Sequence, residues 1–173
     1  RGSALQIRAV AVHSAPDDAK GGGLFRFDFR WSHTLLANAS ALSVLDCVGH
    51  TLRTSFFGEG IVIEASTERS SLTLANASVI DVRNTTFPTT QGGAGSHKGL
   101  VVDVKKGRGL NITGHSGIHV SDVAAFPDGY AFASYQRARV LTVWAMYGAR
   151  LYLEDHSTIQ VRQWHAPIHS SKG

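Results

Sequence analysis

The sequence predicts an all-β chain wound as a single-stranded parallel β-helix, a solenoid whose repeat runs from 37 to 41 residues. Three observations predict it. First, a serine followed by two alternating apolar residues returns five times, as Ser3-Ala-Leu5-Gln-Ile7, Ser40-Ala-Leu42-Ser-Val44, Ser78-Val-Ile80-Asp-Val82, Ser116-Gly-Ile118-His-Val120 and Ser157-Thr-Ile159-Gln-Val161. The intervals are 37, 38, 38 and 41 residues, and a fixed period in this range marks a solenoid or an array. Second, apolar residues alternate just before the later serines, at Leu36, Leu72 and Leu74, Leu110 and Ile112, and Leu151 and Leu153. Third, another apolar run opens each repeat, so that three short strands recur per period, the arrangement of a β-helix coil.

The elements follow in chain order within each repeat. The opening strand is clearest in Gly60-Ile-Val-Ile-Glu-Ala65 and Gly99-Leu-Val-Val-Asp-Val104; Phe25 to Phe29 and Val140 to Ala145 take the equivalent places. The second strand carries the alternating leucines, and a period of two turns one face to a core. Two residues before each later serine stand Asn38, Asn76, Gly114 and Asp155. These types tolerate a left-handed backbone, which predicts a one-residue bend at the same place in every coil. The serine strand follows. Ser3, Ser40, Ser78, Ser116 and Ser157, with Asn38 and Asn76, are expected to stack as ladders, each group bonding its copy in the next coil. Every long irregular segment then falls at one corner, between the serine strand and the next opening strand.

One domain is expected for 173 residues, with repeats at approximately 1–22, 23–59, 60–98, 99–139 and 140–173. A propeller fits the period less well, because blades need four strands and hairpin turns and no Asn-Gly type of hairpin signal occurs. The chain opens in mid-repeat without a polar cap, which predicts a segment of a longer helix. It carries no leader or membrane-spanning run, so attachment to a membrane is expected only through flanking regions. Arginines are scattered through a chain of net charge +4, and Lys105-Lys106-Gly-Arg108 is the only basic cluster. Without interleaved aromatics this excludes nucleic acid as the expected partner. The single cysteine, Cys47, reads as a small core side chain. Four sequons begin at Asn38, Asn76, Asn84 and Asn111, and tilt the expected location to the extracellular space or cell surface. Asn84 and Asn111 are the candidate glycan acceptors, since an inward ladder at Asn38 and Asn76 would leave those two unreachable.

No residue presents itself as catalytic. Glu64 and Asp103 occupy equivalent places in adjacent coils and form the one candidate metal site, for calcium, which takes oxygen ligands in a flexible shell. Alternatively the two carboxylates are outward-facing residues neutralised by Lys105, Lys106 or Arg108. His13, His50, His97, His165 and His169 fall in corner loops or near the C-terminus and read as a scattered surface set. Tyr130, Phe132 and Tyr135, in the longest corner insert, are the candidate binding platform for a protein or a sugar.

The unit Leu-x-Leu-x-Asn-x-Ser-x-Ile-x-Val resembles the coils of the pectin-lyase-like superfamily of right-handed parallel β-helices, over nearly the whole chain. It is also similar in style to the dispersed-gene-family surface proteins of kinetoplastid parasites. The second resemblance implies a membrane-anchored surface glycoprotein with an adhesive role. The first implies, as the alternative, a polysaccharide lyase or glycoside hydrolase acting on acidic polysaccharide. The residues favour the former: Gly114-His115-Ser116 lacks a neighbouring aspartate cluster, and acid–base work on a glycosidic bond needs two carboxyls held across it. The sequence therefore predicts a structural or adhesive segment without a cofactor, binding a protein or glycan through its corner loops.

Overall fold

The structure, a computed structural model, describes residues 2–12, 24–49, 59–87, 97–125 and 138–165. All of its strand pairings are parallel, and no helix occurs among the described residues. The opening strands β3 (Phe25–Asp28), β7 (Glu59–Glu64), β11 (His97–Asp103) and β14 (Ala138–Trp144) pair in that order into one sheet. The second strands β4 (His33–Leu36), β8 (Ser71–Leu74), β12 (Gly109–Ile112) and β15 (Arg150–Leu153) form another. The serine strands β1 (Ala4–Arg8), β5 (Ala41–Leu45), β9 (Val79–Arg83), β13 (Gly117–Ala125) and β16 (Thr158–His165) form the third. Each strand pairs with its counterpart one repeat away, so every coil is one rung of a parallel β-solenoid. The registers match the sequence repeat: Ile61 pairs with Phe25 and Leu100, and Leu141 with Leu100.

Stacking places equivalent apolar residues in inward ladders. Leu74 and Ile112 are fully buried, as are Leu72 and Leu110 beside them. Ile80, Val82, Ile118 and Val120 line the serine side of the same core, and Ile61, Ile63, Leu100 and Val102 the opening side. Each such side chain contributes about 1.5–3 kcal/mol when taken out of water, so the middle rungs carry most of the hydrophobic stabilisation. Cys47 is wholly buried with them. Phe87 lies against two opening strands at once: a Cβ at Gly60 or Gly99 would meet its ring at 2.3 or 2.6 Å. Only a residue without a side chain fits beneath it.

The bend differs from expectation in length. Two consecutive residues, not one, take left-handed φ in each coil: Asn38 and Ala39, Asn76 and Ala77, Gly114 and His115, Asp155 and His156. Across the bends the N–H of Ala39 reaches Asn76 O (2.7 Å), that of Ala77 reaches Gly114 O (2.7 Å), and that of His115 reaches Asp155 O (2.9 Å). The bend thus joins the parallel ladder, which satisfies backbone groups otherwise left unpaired.

The serine strand also does not end where the repeat suggests. Six residues after each serine a second left-handed residue occurs, at Ala9, Asp46, Asn84, Asp122 and Gln163. Pairing then resumes in the short strands β2 (Ala11–Val12), β6 (Val48–Gly49) and β10 (Thr86–Phe87), and in the far halves of β13 and β16. A coil therefore has a fourth strand piece beyond the three expected. The step from Leu36, Leu74, Ile112 or Leu153 to its serine is always four residues, and from serine to second bend always six. From the second bend to the matched opening position (Phe25, Ile61, Leu100, Leu141) it is 16, 15, 16 and 19 residues. Most of the variation in repeat length lies there.

Candidate functional site

The serine strands present alternate residues outward, and these form two adjacent ladders. One runs Gln6, Ser43, Asp81, His119, Gln160; the other Arg8, Leu45, Arg83, Ser121, Arg162. Over the last three rungs they line an open groove of about 270 Å³, completed by Asp122 at the second bend. Gly117 makes room for it. A Cβ there would stand 2.6 Å from His119 Nε2, and in its absence the imidazole folds back to hydrogen-bond Thr158 Oγ1 at 3.1 Å.

Asp81 is the buried carboxylate of the groove, 5% exposed. Arg83 holds both of its oxygens, Nε donating to Oδ1 at 2.8 Å and Nη2 lying 2.5 Å from Oδ2. The hydrogen bond to Asp81 raises the pKa of Arg83 above the ordinary arginine value. Paired in this way, both oxygens of Asp81 are already in use as acceptors. Asp122 and Arg162 are exposed on the next two rungs with no ion pair among the described residues. The groove therefore combines two guanidiniums, two carboxylates, an imidazole and an amide, close to electrical balance and rich in both donors and acceptors. Such a set suits vicinal hydroxyls or a single acidic group of an extended polar chain.

The opening sheet carries the predicted calcium candidates. Glu64 and Asp103 are register partners, as expected, but Asp28 pairs with Glu64 on the other side, so the row of carboxylates is three long and ends on Trp144. All three are matched by cations. Arg26 bonds Glu64, whose other oxygen accepts from Ser66 Oγ at 2.6 Å. Arg30 bonds Asp28 and holds its carboxyl down to about 2. Lys105 Nζ lies 2.9 Å from Asp103 and 4.2 Å from the centre of the Trp144 ring, with Lys98 Nζ at 3.9 Å from the same ring. Among the described residues no group of three His, Cys, Asp or Glu side chains converges as a metal site.

Four of the five serines stack as a ladder, joined by backbone N–H to hydroxyl bonds and not by hydroxyl to hydroxyl. Ser3 N donates to Ser40 Oγ (3.2 Å), Ser40 N to Ser78 Oγ (3.1 Å) and Ser78 N to Ser116 Oγ (3.1 Å). Ser40 and Ser78 each donate in turn to the carbonyl three residues back, on Ala37 and Ala75. The ladder stops short of the last rung: Ser157 Oγ is buried with no hydrogen-bond partner among the described residues. There the His115 and His156 rings, stacked at 5.3 Å, replace the alanines of the lower bends. Asn38 and Asn76 also stack, with Asn76 Nδ2 donating to Asn38 Oδ1 at 3.4 Å, but they stand exposed on the outside. An inward asparagine ladder is thus overturned: a left-handed residue at the apex of an outward bend directs its side chain to solvent, and both sequons are open to water. Asn84 is exposed and donates to Asp46 Oδ1 at 2.9 Å, holding that carboxyl below its usual range. Asn111 is half-buried in the second sheet between Thr73 and Tyr152.

Tyr130, Phe132 and Tyr135 lie outside the described residues, as do His13, His50 and His169. The groove was missed in the sequence because its ladders change residue type at every rung. The available signal was Asp81, His119 and Gln160 falling at one register position, with arginines two residues further along the first and third of these strands. No protein-family model, curated protein or solved structure matches the chain.

Proposed function

We propose that the chain is an adhesive segment of an extracellular or cell-surface β-solenoid, and that it holds a glycan along the groove on its serine face. The observation that carries this reading is the state of Asp81. The buried acid of the groove is locked by Arg83, which leaves a surface of fixed donors and acceptors in place of a paired acid and base. The two exposed sequons at Asn38 and Asn76 support a compartment in which glycans are attached and encountered.

The test is calorimetric titration of the protein with neutral and acidic oligosaccharides, alongside an assay for new reducing ends or unsaturated sugar products. Binding without turnover is expected, weakened about tenfold or more by Arg162→Ala, since hydrogen bonds to a charged group contribute about 1.5–3 kcal/mol. Turnover that disappears in Asp122→Asn would instead establish a polysaccharide lyase or hydrolase. Unchanged binding in Arg162→Ala would remove the groove from the reading.

A further inference from the structure

We infer that the corner between the opening and second sheets is a docking edge for an anionic lipid surface, on which the solenoid lies with its axis parallel to the bilayer. Four tight turns make this corner, one per rung. Each is closed by a bond three residues back: Ser32 N to Phe29 O (3.3 Å), Ser70 N to Thr67 O (2.9 Å), Gly107 N to Val104 O (3.0 Å) and Ala149 N to Met146 O (3.2 Å). The turns are also seated on one another. Arg108 N donates to Ser70 O at 2.7 Å and Lys106 N to Met146 O at 3.2 Å. Gly107 lies so close to the rung beneath that a Cβ would meet Ala65 O at 2.5 Å. The tips therefore form a fixed, straight row about 14 Å long, from three strand spacings.

Aromatic rings stand at both ends of this row. Three residues on from the paired positions Asp28, Glu64, Asp103 and Trp144 come Trp31, Thr67, Lys106 and Tyr147. Trp31, Lys106 and Tyr147 share a left-handed φ, of 70°, 62° and 55°. Trp31 and Tyr147, each 73% exposed, are the most exposed large apolar side chains among the described residues. Their outward place belongs to the corner and not to the outer rungs, since Lys106 in an inner rung is exposed at the same position.

Cations fill the row between the rings. Arg69, Lys106 and Arg108 are exposed and form no ion pair among the described residues; Glu68 is the one carboxylate at the tips. The carboxylates of the neighbouring sheet do not offset them, because Asp28, Glu64 and Asp103 are matched by Arg30, Arg26 and Lys105. Rings with a polar edge settle at the headgroup level of a bilayer, and each unpaired cation is drawn to anionic lipid. A soluble polyanion would meet the cations alone, whereas a lipid surface uses both, and a straight row fits a flat one. In a three-sided coil this corner lies across the core from the serine face, so docking would hold the groove away from the bilayer. The inference is independent of what that groove binds.

The full chain should sediment with vesicles of phosphatidylcholine and phosphatidylserine, and not with phosphatidylcholine alone. Binding should fall as salt is raised and should shift tryptophan emission to the blue. Lys106→Glu combined with Arg108→Glu should weaken it about tenfold or more. Trp31→Ala should weaken it and remove the emission shift, with unchanged circular dichroism showing that each variant is folded. Absence of binding to phosphatidylserine vesicles at low salt overturns the inference, as does binding that the charge reversals leave unchanged. So does binding that heparin displaces and Trp31→Ala leaves intact, which would make the corner a site for soluble polyanions.

Discussion

Ser78 performs two hydrogen-bonding tasks with one hydroxyl: its oxygen accepts from Ser40 N, and its hydrogen goes to Ala75 O. The side chain is fully buried, so neither group can turn to water when the hydroxyl is removed. Ser78→Ala should therefore destabilise the fold by about 1–3 kcal/mol, the cost of unsatisfied buried polar groups. Urea unfolding should show a lower midpoint at an unchanged slope. Ser3→Ala, on the exposed first rung, should leave the midpoint where it is. This role was legible in the sequence, since a small hydroxyl at a fixed place beside a bend reads as a turn or ladder residue. The direction of Asn38 and Asn76 was not, because composition reveals tolerance of a left-handed backbone but not that the bend spans two residues with its apex outside. Asp81, Arg83 and His119 were equally hidden. Their ladder positions are filled elsewhere by Ser43, Leu45 and Gln160, so repetition, the signal that exposed the scaffold, gave no sign of them.

The opening strands depend on glycine for a packing reason. A Cβ on Gly99 would come within 2.4 Å of Val140 O as well as 2.6 Å of the Phe87 ring, so neither the neighbouring strand nor the ring could yield alone. Gly99→Ala should lower stability by about 1–3 kcal/mol, as overpacking of a filled core does. Denaturant titration would detect it, and a loss of less than about 0.5 kcal/mol, the usual bound for surface changes, would mean that the two strands part more easily than this packing implies. The identical spacing of Gly60-Ile-Val-Ile and Gly99-Leu-Val-Val already aligned these strands in the sequence. The fourth strand piece escaped notice, since two residues after a bend are too few to show alternation. Its marker was Asp46, Asn84 and Asp122 at six residues beyond the serine.

At the scale of the molecule, each rung touches only its neighbours, so stability accumulates rung by rung. The middle rungs bury both faces of their core residues; the end rungs bury one. Hydrogen exchange should consequently be slowest in β8, β9 and β12 and fastest in β1 and β15. Uniform protection across all rungs would indicate a single cooperative unit. Chain topology was the most legible property of all, because a solenoid writes its period directly into the sequence and needs no long-range pairing to be deduced.

The fixed ten-residue step from second-strand leucine to second bend, with length variation kept mostly in the corner segments, has a consequence for how the chain can change. In a coiled coil an inserted residue shifts the phase of everything after it. Here a rung takes its phase from the rung beneath, through the bend and serine bonds, and not from the length of chain that connects them. An insertion at the corner is forgotten within one coil. The 41-residue interval before Ser157 illustrates this: three residues longer than the previous interval, it still delivers Ile159 onto Ile118 and Val161 onto Val120.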